Sequence, residues 1–167
     1  MENVGRIRNL ALVIGAMKCG TTSLFQYLSG HPQIAPCAKK EPNFFACPRE
    51  WGLGNEQYES YFDFDPSAHK YALEASTDYA KLPYVDYIFD RFKKFSRYRY
   101  KFIYLIRNPI HRIQSHLRHA ENTKSEILSL DAKRKTFSLD TGISQAAIDF
   151  CRYADHIEAY KRHFGDE

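Results

Sequence analysis

The sequence predicts an α/β protein, a three-layer α/β/α arrangement around a mostly parallel sheet, and three observations carry that expectation. The stretch "LALVIGAMKCGTTSLFQYL", Leu10 to Leu28, is a continuous apolar run that meets a glycine and turns into a helical pattern. A second apolar run, "KFIYLIR", passes directly into "NPIHRIQSHLRHA". Strand and helix patterns alternate through most of the chain, as in folds whose strands run parallel and whose helices cover both faces.

Leu10 to Ile14 reads as a buried parallel strand, because a strand covered on both faces has no need of polar alternation. A helix follows from Thr21 to Leu28 and stops at "SGHP", where Gly30 supplies a C-terminal stop and Pro32 cannot continue it. Residues 31 to 53 are rich in proline and aromatics and predict an irregular connection with one short strand near Ile34. A short helix is expected over Asn55 to Tyr61 and a strand over Lys70 to Ser76. Leu82, Val85, Ile88, Phe89 and Phe92 recur with helical period and predict a helix over Leu82 to Phe95.

Lys101 to Arg107 is the clearest strand. Asn108 is then a good N-cap, and Pro109 suits the first helical position because its missing N–H is unpaired there anyway. Ile110, Ile113, Leu117 and Ala120 should form the buried face of this helix, leaving His111, Ser115 and Arg118 outside. His116 and His119 are expected to be exposed. Residues 121 to 142 are polar and charged and predict a variable loop that helps choose a substrate. Ser144 to Phe164 predicts one long amphipathic helix.

With 167 residues, 44% of them hydrophobic and 15% aromatic, the chain can bury one sizeable core, and a single domain over residues 1–167 is expected. A net charge of +4 and a pI near 8.8 suit an anionic ligand without demanding nucleic acid. Cys19, Cys37, Cys47 and Cys151 form no C-x-x-C pair, so neither a zinc site nor a disulfide framework is indicated. No apolar run approaches the roughly 18 residues a membrane span needs, and "MENVGRIRN" is not a signal peptide; a cytoplasmic protein is expected.

Gly15 and Gly20 keep the spacing of the loop G-x-x-x-x-G-K-[ST] that cradles nucleoside triphosphates, but Thr21 stands at the lysine position and Lys18 lies inside the loop. Backbone N–H groups ahead of a helix can converge on an anion, and Thr21, Thr22 and Ser23 add hydroxyls. A plain strand-to-helix turn with glycines for geometry is the competing reading. The displaced lysine points to a single 5′-phosphate with a group beside it, rather than to the end of a triphosphate. "YLIRN" also puts Arg107 where a metal-binding carboxylate could have stood, so the magnesium chemistry of an ATPase lacks its second element.

Together these segments resemble the sulfotransferases that use 3′-phosphoadenosine 5′-phosphosulfate (PAPS), in particular the heparan-sulfate type and its bacterial relatives. "GAMKCGTTSL" is similar to their 5′-phosphosulfate loop, and "YLIRNPIHRIQSHLRH" to their 3′-phosphate motif, an arginine followed eight residues later by a serine, here Arg107 and Ser115. "KEPNFF", Lys40 to Phe45, is similar to the K-E-x-x-F-F segment, with Asn43 where a histidine often stands. "LEASTDYA" resembles the E-K-[ST]-P-x-Y stretch, with Ala75 for the lysine and Thr77 for the proline. "YADHIEAYKRHFG" resembles the helix before the family's next strand.

The resemblance implies a P-loop-like sulfotransferase fold, shortened or truncated at its C-terminal end, and a sulfuryl transfer from PAPS, without metal, to a hydroxyl or amine of an acceptor, carbohydrate in preference. It implies that Lys18 contacts the bridging oxygen and acts as electrostatic stabiliser or general acid toward the leaving phosphate, and that Glu41 is the general base. Lys18, Cys19, Gly20, Thr21, Thr22 and Ser23 would hold the 5′-phosphosulfate, and Arg107 with Ser115 the 3′-phosphate. Glu74, Ser76, Thr77 and Tyr79 are expected to line the cleft. Two other readings stay open: a P-loop kinase dependent on magnesium, and a nucleic-acid-binding module using the basic and aromatic run "RFKKFSRYRYK". That run reads more simply as the solvated end of a helix before a buried strand.

Overall fold

The computed structural model describes residues 7–82, 86–122 and 145–165. Four strands form one sheet: β1 (Asn9–Gly15), β2 (Ile34–Pro36), β3 (Tyr71–Ala75) and β4 (Arg99–Tyr104). Their order is β2-β3-β1-β4, and every pair is parallel. β1 is interior: Leu10 faces Ala72 on one side and Tyr100 on the other, and Leu12 faces Glu74 and Phe102.

Because β1 alternates its side chains, it feeds two cores. Ala11 and Val13 join Leu73 and Ala75 beneath Leu24, Phe25 and Leu28 of α1 (Thr21–Ser29), where small strand residues let the helix sit close. Leu10, Leu12 and Ile14 face the opposite, larger core, which is dominated by aromatic rings. The helices there are α2 (Pro48–Gly52), α3 (Gly54–Glu59), α4 (Ile88–Lys94) and, at the end of the chain, α7 (Tyr153–Phe164). A single 3₁₀ turn, Thr77–Ala80, follows β3. Helices on both faces of a parallel sheet make the expected three layers.

Several elements differ from expectation. Pro48 at the first helical position starts α2 inside the stretch expected to be irregular, and α3 begins at Gly54 rather than Asn55. The helix expected from Leu82 begins only at Ile88; Pro83 disfavours helical backbone at Leu82, which is buried outside the helix. Val85, counted in that pattern, lies outside the described residues, as does 123–142 of the expected loop. β4 starts two residues early and ends at Tyr104, although Leu105 still exchanges hydrogen bonds with Gly15 and Ala16 at 2.8 Å each.

The rings of the basic and aromatic run pack into the core, whereas Lys93, Lys94, Arg97, Arg99 and Lys101 are exposed. Arg91 lies over the rings of Trp51 and Tyr87, at 5.1 and 4.6 Å from their centroids, and donates to the Phe45 carbonyl at 2.9 Å. Arg97 pairs with Glu59, and Tyr98 is buried against it.

The largest correction concerns α5 (Pro109–Asn122). Asn108 caps it, its Oδ1 accepting from Ile110 N at 3.0 Å and His111 N at 3.3 Å. Yet the helix is turned so that Ile110 is 66% exposed while Arg112 is fully buried and His116 only 4% exposed. The reason lies in the next helix, α6 (Gln145–Asp149). Arg112 Nη2 donates to the Ala147 carbonyl and Nε to Cys151 Sγ at 2.8 Å. In a continuous helix the Ala147 carbonyl would accept from Cys151 N; here that N–H bonds Ile148 instead, at 2.8 Å, and Arg152 N bonds Asp149 at 3.0 Å. The guanidinium thus occupies a carbonyl at the end of α6, and the single long helix expected over Ser144 to Phe164 is two helices. Arg112 Nη1 and His116 Nδ1 have no hydrogen-bond partner among the described residues.

Burial, helped by the cations Arg112, Lys81, His119 and Lys18, pushes the His116 imidazole down to about 4 from 6.5. Its folded-state pKa is depressed, so between those values the unfolded chain binds more protons, and stability is lost as pH falls through that window. His116→Gln should flatten this dependence, which at full extent is on the order of 3 kcal/mol; thermal unfolding of both proteins from pH 7 to 4 measures it. Phe92 stands at the centre of the aromatic core, 4.4 Å from Phe45 and 5.1 Å from Tyr100 between ring centroids. Phe92→Ala should cost about 3–5 kcal/mol, read from the urea midpoint.

Candidate functional site

Parallel strands bring their carboxyl ends to one edge of the sheet, where ligands of such folds gather. Three of those ends surround a cavity of about 440 Å³. After β1 come Met17, Lys18, Gly20, Thr21 and Thr22; after β2, Lys40 and Glu41; after β3, Thr77, Asp78 and Lys81; His119 reaches it from α5.

The loop after β1 is held from below by the Ala16 N–H, which bonds the Leu105 carbonyl at 2.8 Å. Lys18 has φ 69° and Gly20 φ 89°, so the backbone twice enters the left-handed region, once without the freedom of glycine. α1 then starts with no side-chain cap and no acidic residue in its first turn. Its leading N–H groups have no partner within the helix, and the helix field there favours an anion.

The second wall carries the charge. Lys40 Nζ donates to Thr22 Oγ1 at 2.7 Å and lies 3.9 Å from Glu41 Oε1. Thr77 Oγ1 donates to Glu41 Oε2 at 3.2 Å. Lys81 pairs with Asp78. Among the described residues, Lys18 has no carboxylate partner. The arrangement offers an ammonium without a carboxylate partner among the described residues and an open helix start on one side, and on the other a half-buried carboxylate held by Thr77 and lying near Lys40.

Lys18, Gly20, Thr21, Thr22 and Glu41 therefore meet around one space. Others of the expected set stand elsewhere. Cys19 Sγ turns toward the Met17 carbonyl and the Tyr153 hydroxyl, 3.9 and 3.8 Å away, its N–H bonds Ala16, and burial pushes its thiol up. Ser23 is exposed on α1, and Ser115 is half-buried on α5; neither lines the cavity. Arg107 is exposed beyond β4, and its Nη1 donates to the Lys18 carbonyl at 3.4 Å, which ties the two motifs together through the backbone of the loop.

Of the four residues expected to line the cleft, only Thr77 does. Glu74, Ser76 and Tyr79 are fully buried behind it, because the carboxylate collects hydroxyl donors from the core. His116 is likewise buried, not exposed, and His119 is half-buried at the cavity wall. Lys81 and Asp78 were not singled out by motif; their signal was position, directly after a strand whose end must reach the same edge. Among the described residues, His, Cys, Asp and Glu form no group of three or more that could hold a metal ion, and no helix is long and apolar enough to cross a membrane.

No protein-family model matches the chain, and no curated protein matches it. Among solved structures, the crystal structure of a sulfotransferase from Alicyclobacillus acidocaldarius superposes with a TM-score of 0.69 at 24% sequence identity. The match covers 95% of this chain and 70% of that one, so the two share their α/β fold over nearly the whole length described here.

Proposed function

We propose that the protein is a sulfotransferase that moves a sulfuryl group from PAPS to a hydroxyl or amine of an acceptor, a carbohydrate by preference. The observation that carries this reading is the placement of Lys18 and Glu41 on opposite walls of one cavity at the carboxyl edge of the sheet. The donor supplies the sulfuryl group and its phosphate leaving group. The first turn of α1, with Thr21, Thr22 and the backbone N–H groups of Gly20 and Ser23, receives the 5′ end as an uncapped helix start receives any phosphate, while the Cys19 N–H stays bonded to Ala16 and shapes the loop. Lys18 neutralises charge growing on the departing oxygen, a role in which a positioned cation has a large effect. Glu41 accepts the acceptor's proton, oriented by Thr77.

Arg107, with its remaining guanidinium donors, and Ser115 form the proposed contact to the 3′-phosphate. Lysines and an open helix start suit the several negative charges of such a donor without requiring a metal. The carbohydrate preference rests on the "KEPNFF" segment. Residues 121–142 are the proposed acceptor-choosing segment of a single domain. All four cysteines are free, which suits a reducing setting such as the cytoplasm. The nucleic-acid reading loses support because the rings of the basic run are committed to the core.

Calorimetric titration separates this reading from a P-loop kinase: adenosine 3′,5′-bisphosphate should bind without magnesium and more tightly than ATP with magnesium, and the reverse order would favour the kinase. With labelled PAPS and a panel of glycans, phenols and lipids, Lys18→Ala should reduce transfer by about 100-fold or more while leaving the melting temperature unchanged. Glu41→Gln should lower kcat more than it raises the KM for donor. Undiminished turnover in either variant would remove that residue from its role.

A further inference from the structure

Glu74 sits in the middle of the sheet, opposite Leu12 of β1, and has no exposed surface. A carboxylate so placed is costly unless it is well hydrogen-bonded. Burial raises its pKa, and the hydroxyls around it work the other way. Three hydroxyls donate to it: Tyr58, Ser76 at 2.5 Å and Tyr79 at 2.6 Å.

Two of these hydroxyls go further. A hydroxyl has one proton; once that proton is given to Glu74, what remains to offer is lone pairs. Ser76 Oγ accepts from the Asn43 N–H at 3.0 Å, and Tyr79 Oη accepts from the Phe45 N–H at 3.3 Å. Both N–H groups belong to the turn that carries Glu41, in which Glu41 has φ 49° and Asn43 φ 52°. Two non-glycine residues in the left-handed region disfavour this turn unless outside contacts hold it.

We infer that Glu74 is a positioning residue for Glu41: it fixes the direction of the Ser76 and Tyr79 hydroxyls, which clamp the 41–45 turn and so hold the Glu41 carboxylate toward the cavity. The inference rests on the reading of Glu41 as the base. Tyr58 provides the internal control, because its hydroxyl bonds the same carboxylate but no N–H of the turn, and Tyr58→Phe leaves its ring contacts with Phe44 and Phe45 in place.

The test uses the chain with Glu74→Leu, Glu74→Gln, Ser76→Ala, Tyr79→Phe and Tyr58→Phe. Amide hydrogen exchange followed by NMR should show Asn43 losing protection in Ser76→Ala, Phe45 losing it in Tyr79→Phe, and both losing it in Glu74→Leu. Glu74→Gln should retain most of it, because Ser76 and Tyr79 donate to one and the same oxygen and an amide carbonyl there can accept from both. In Tyr58→Phe both should remain as protected as other core amides. In the transfer assay Glu74→Leu and Ser76→Ala should lose about tenfold or more in kcat with little change in the KM for donor, as expected for a misplaced reacting group, whereas Tyr58→Phe should retain turnover. Unchanged protection of Asn43 and Phe45 in Glu74→Leu, unchanged protection of Asn43 in Ser76→Ala, or an equal loss of kcat in Tyr58→Phe, would overturn the inference. A wild-type chain that transfers no sulfuryl group would overturn the proposed function instead, and the exchange data would still decide whether Glu74 holds the turn.

Discussion

The pairing of β1 on both sides with parallel neighbours is the constraint from which the rest follows. A strand with β3 on one edge and β4 on the other, and with a core against each face, must be apolar nearly throughout. The same pairing puts the ends of β1, β2 and β3 at one rim. Segments separated by dozens of residues in the chain are thereby forced into contact: the loop at Lys18, the turn at Glu41, the 3₁₀ turn at Thr77 and, through its hydrogen bond to Lys18, Arg107.

What could be read beforehand were the features whose physics is local. The apolar runs of β1 and β4, the glycine-led entry to α1 and the Asn108-Pro109 start of α5 follow from backbone preferences within a few residues. The proximity of Lys18 and Glu41, by contrast, was implied only by the resemblance of "GAMKCGTTSL" and "KEPNFF" to segments of one family's site. The orientation of α5 was not legible. Its apolar residues form a regular stripe, yet the stripe containing Arg112 and His116 turns inward, because a carbonyl of α6 and the thiol of Cys151 give the guanidinium partners that no neighbouring position in the sequence reveals. The break between α6 and α7 has the same origin. Glu74 was misplaced for a related reason: its partners Tyr58 and Tyr79 come from separate elements, and only their convergence makes a buried carboxylate tolerable.

These two buried charges have opposite characters. Arg112 has one nitrogen without a partner among the described residues, and the neighbouring His116 is kept neutral by desolvation and by the surrounding cations. Glu74 is enclosed by donors. The first organises the helices at the end of the described chain, and the second supports the wall of the cavity. In both, the polar group sits where it joins elements that hydrophobic packing alone would leave free to slide, since apolar contacts lack direction.

The bond from Lys40 Nζ to Thr22 Oγ1 bridges the first turn of α1 and the connection that leads to Glu41. An ammonium that spends one N–H on Thr22 keeps two more, so an anion entering the loop can engage Lys40 with the bridge intact, and filling the loop then steadies the opposite wall as well. By reciprocity, whatever settles that wall alters how tightly the loop grips its guest.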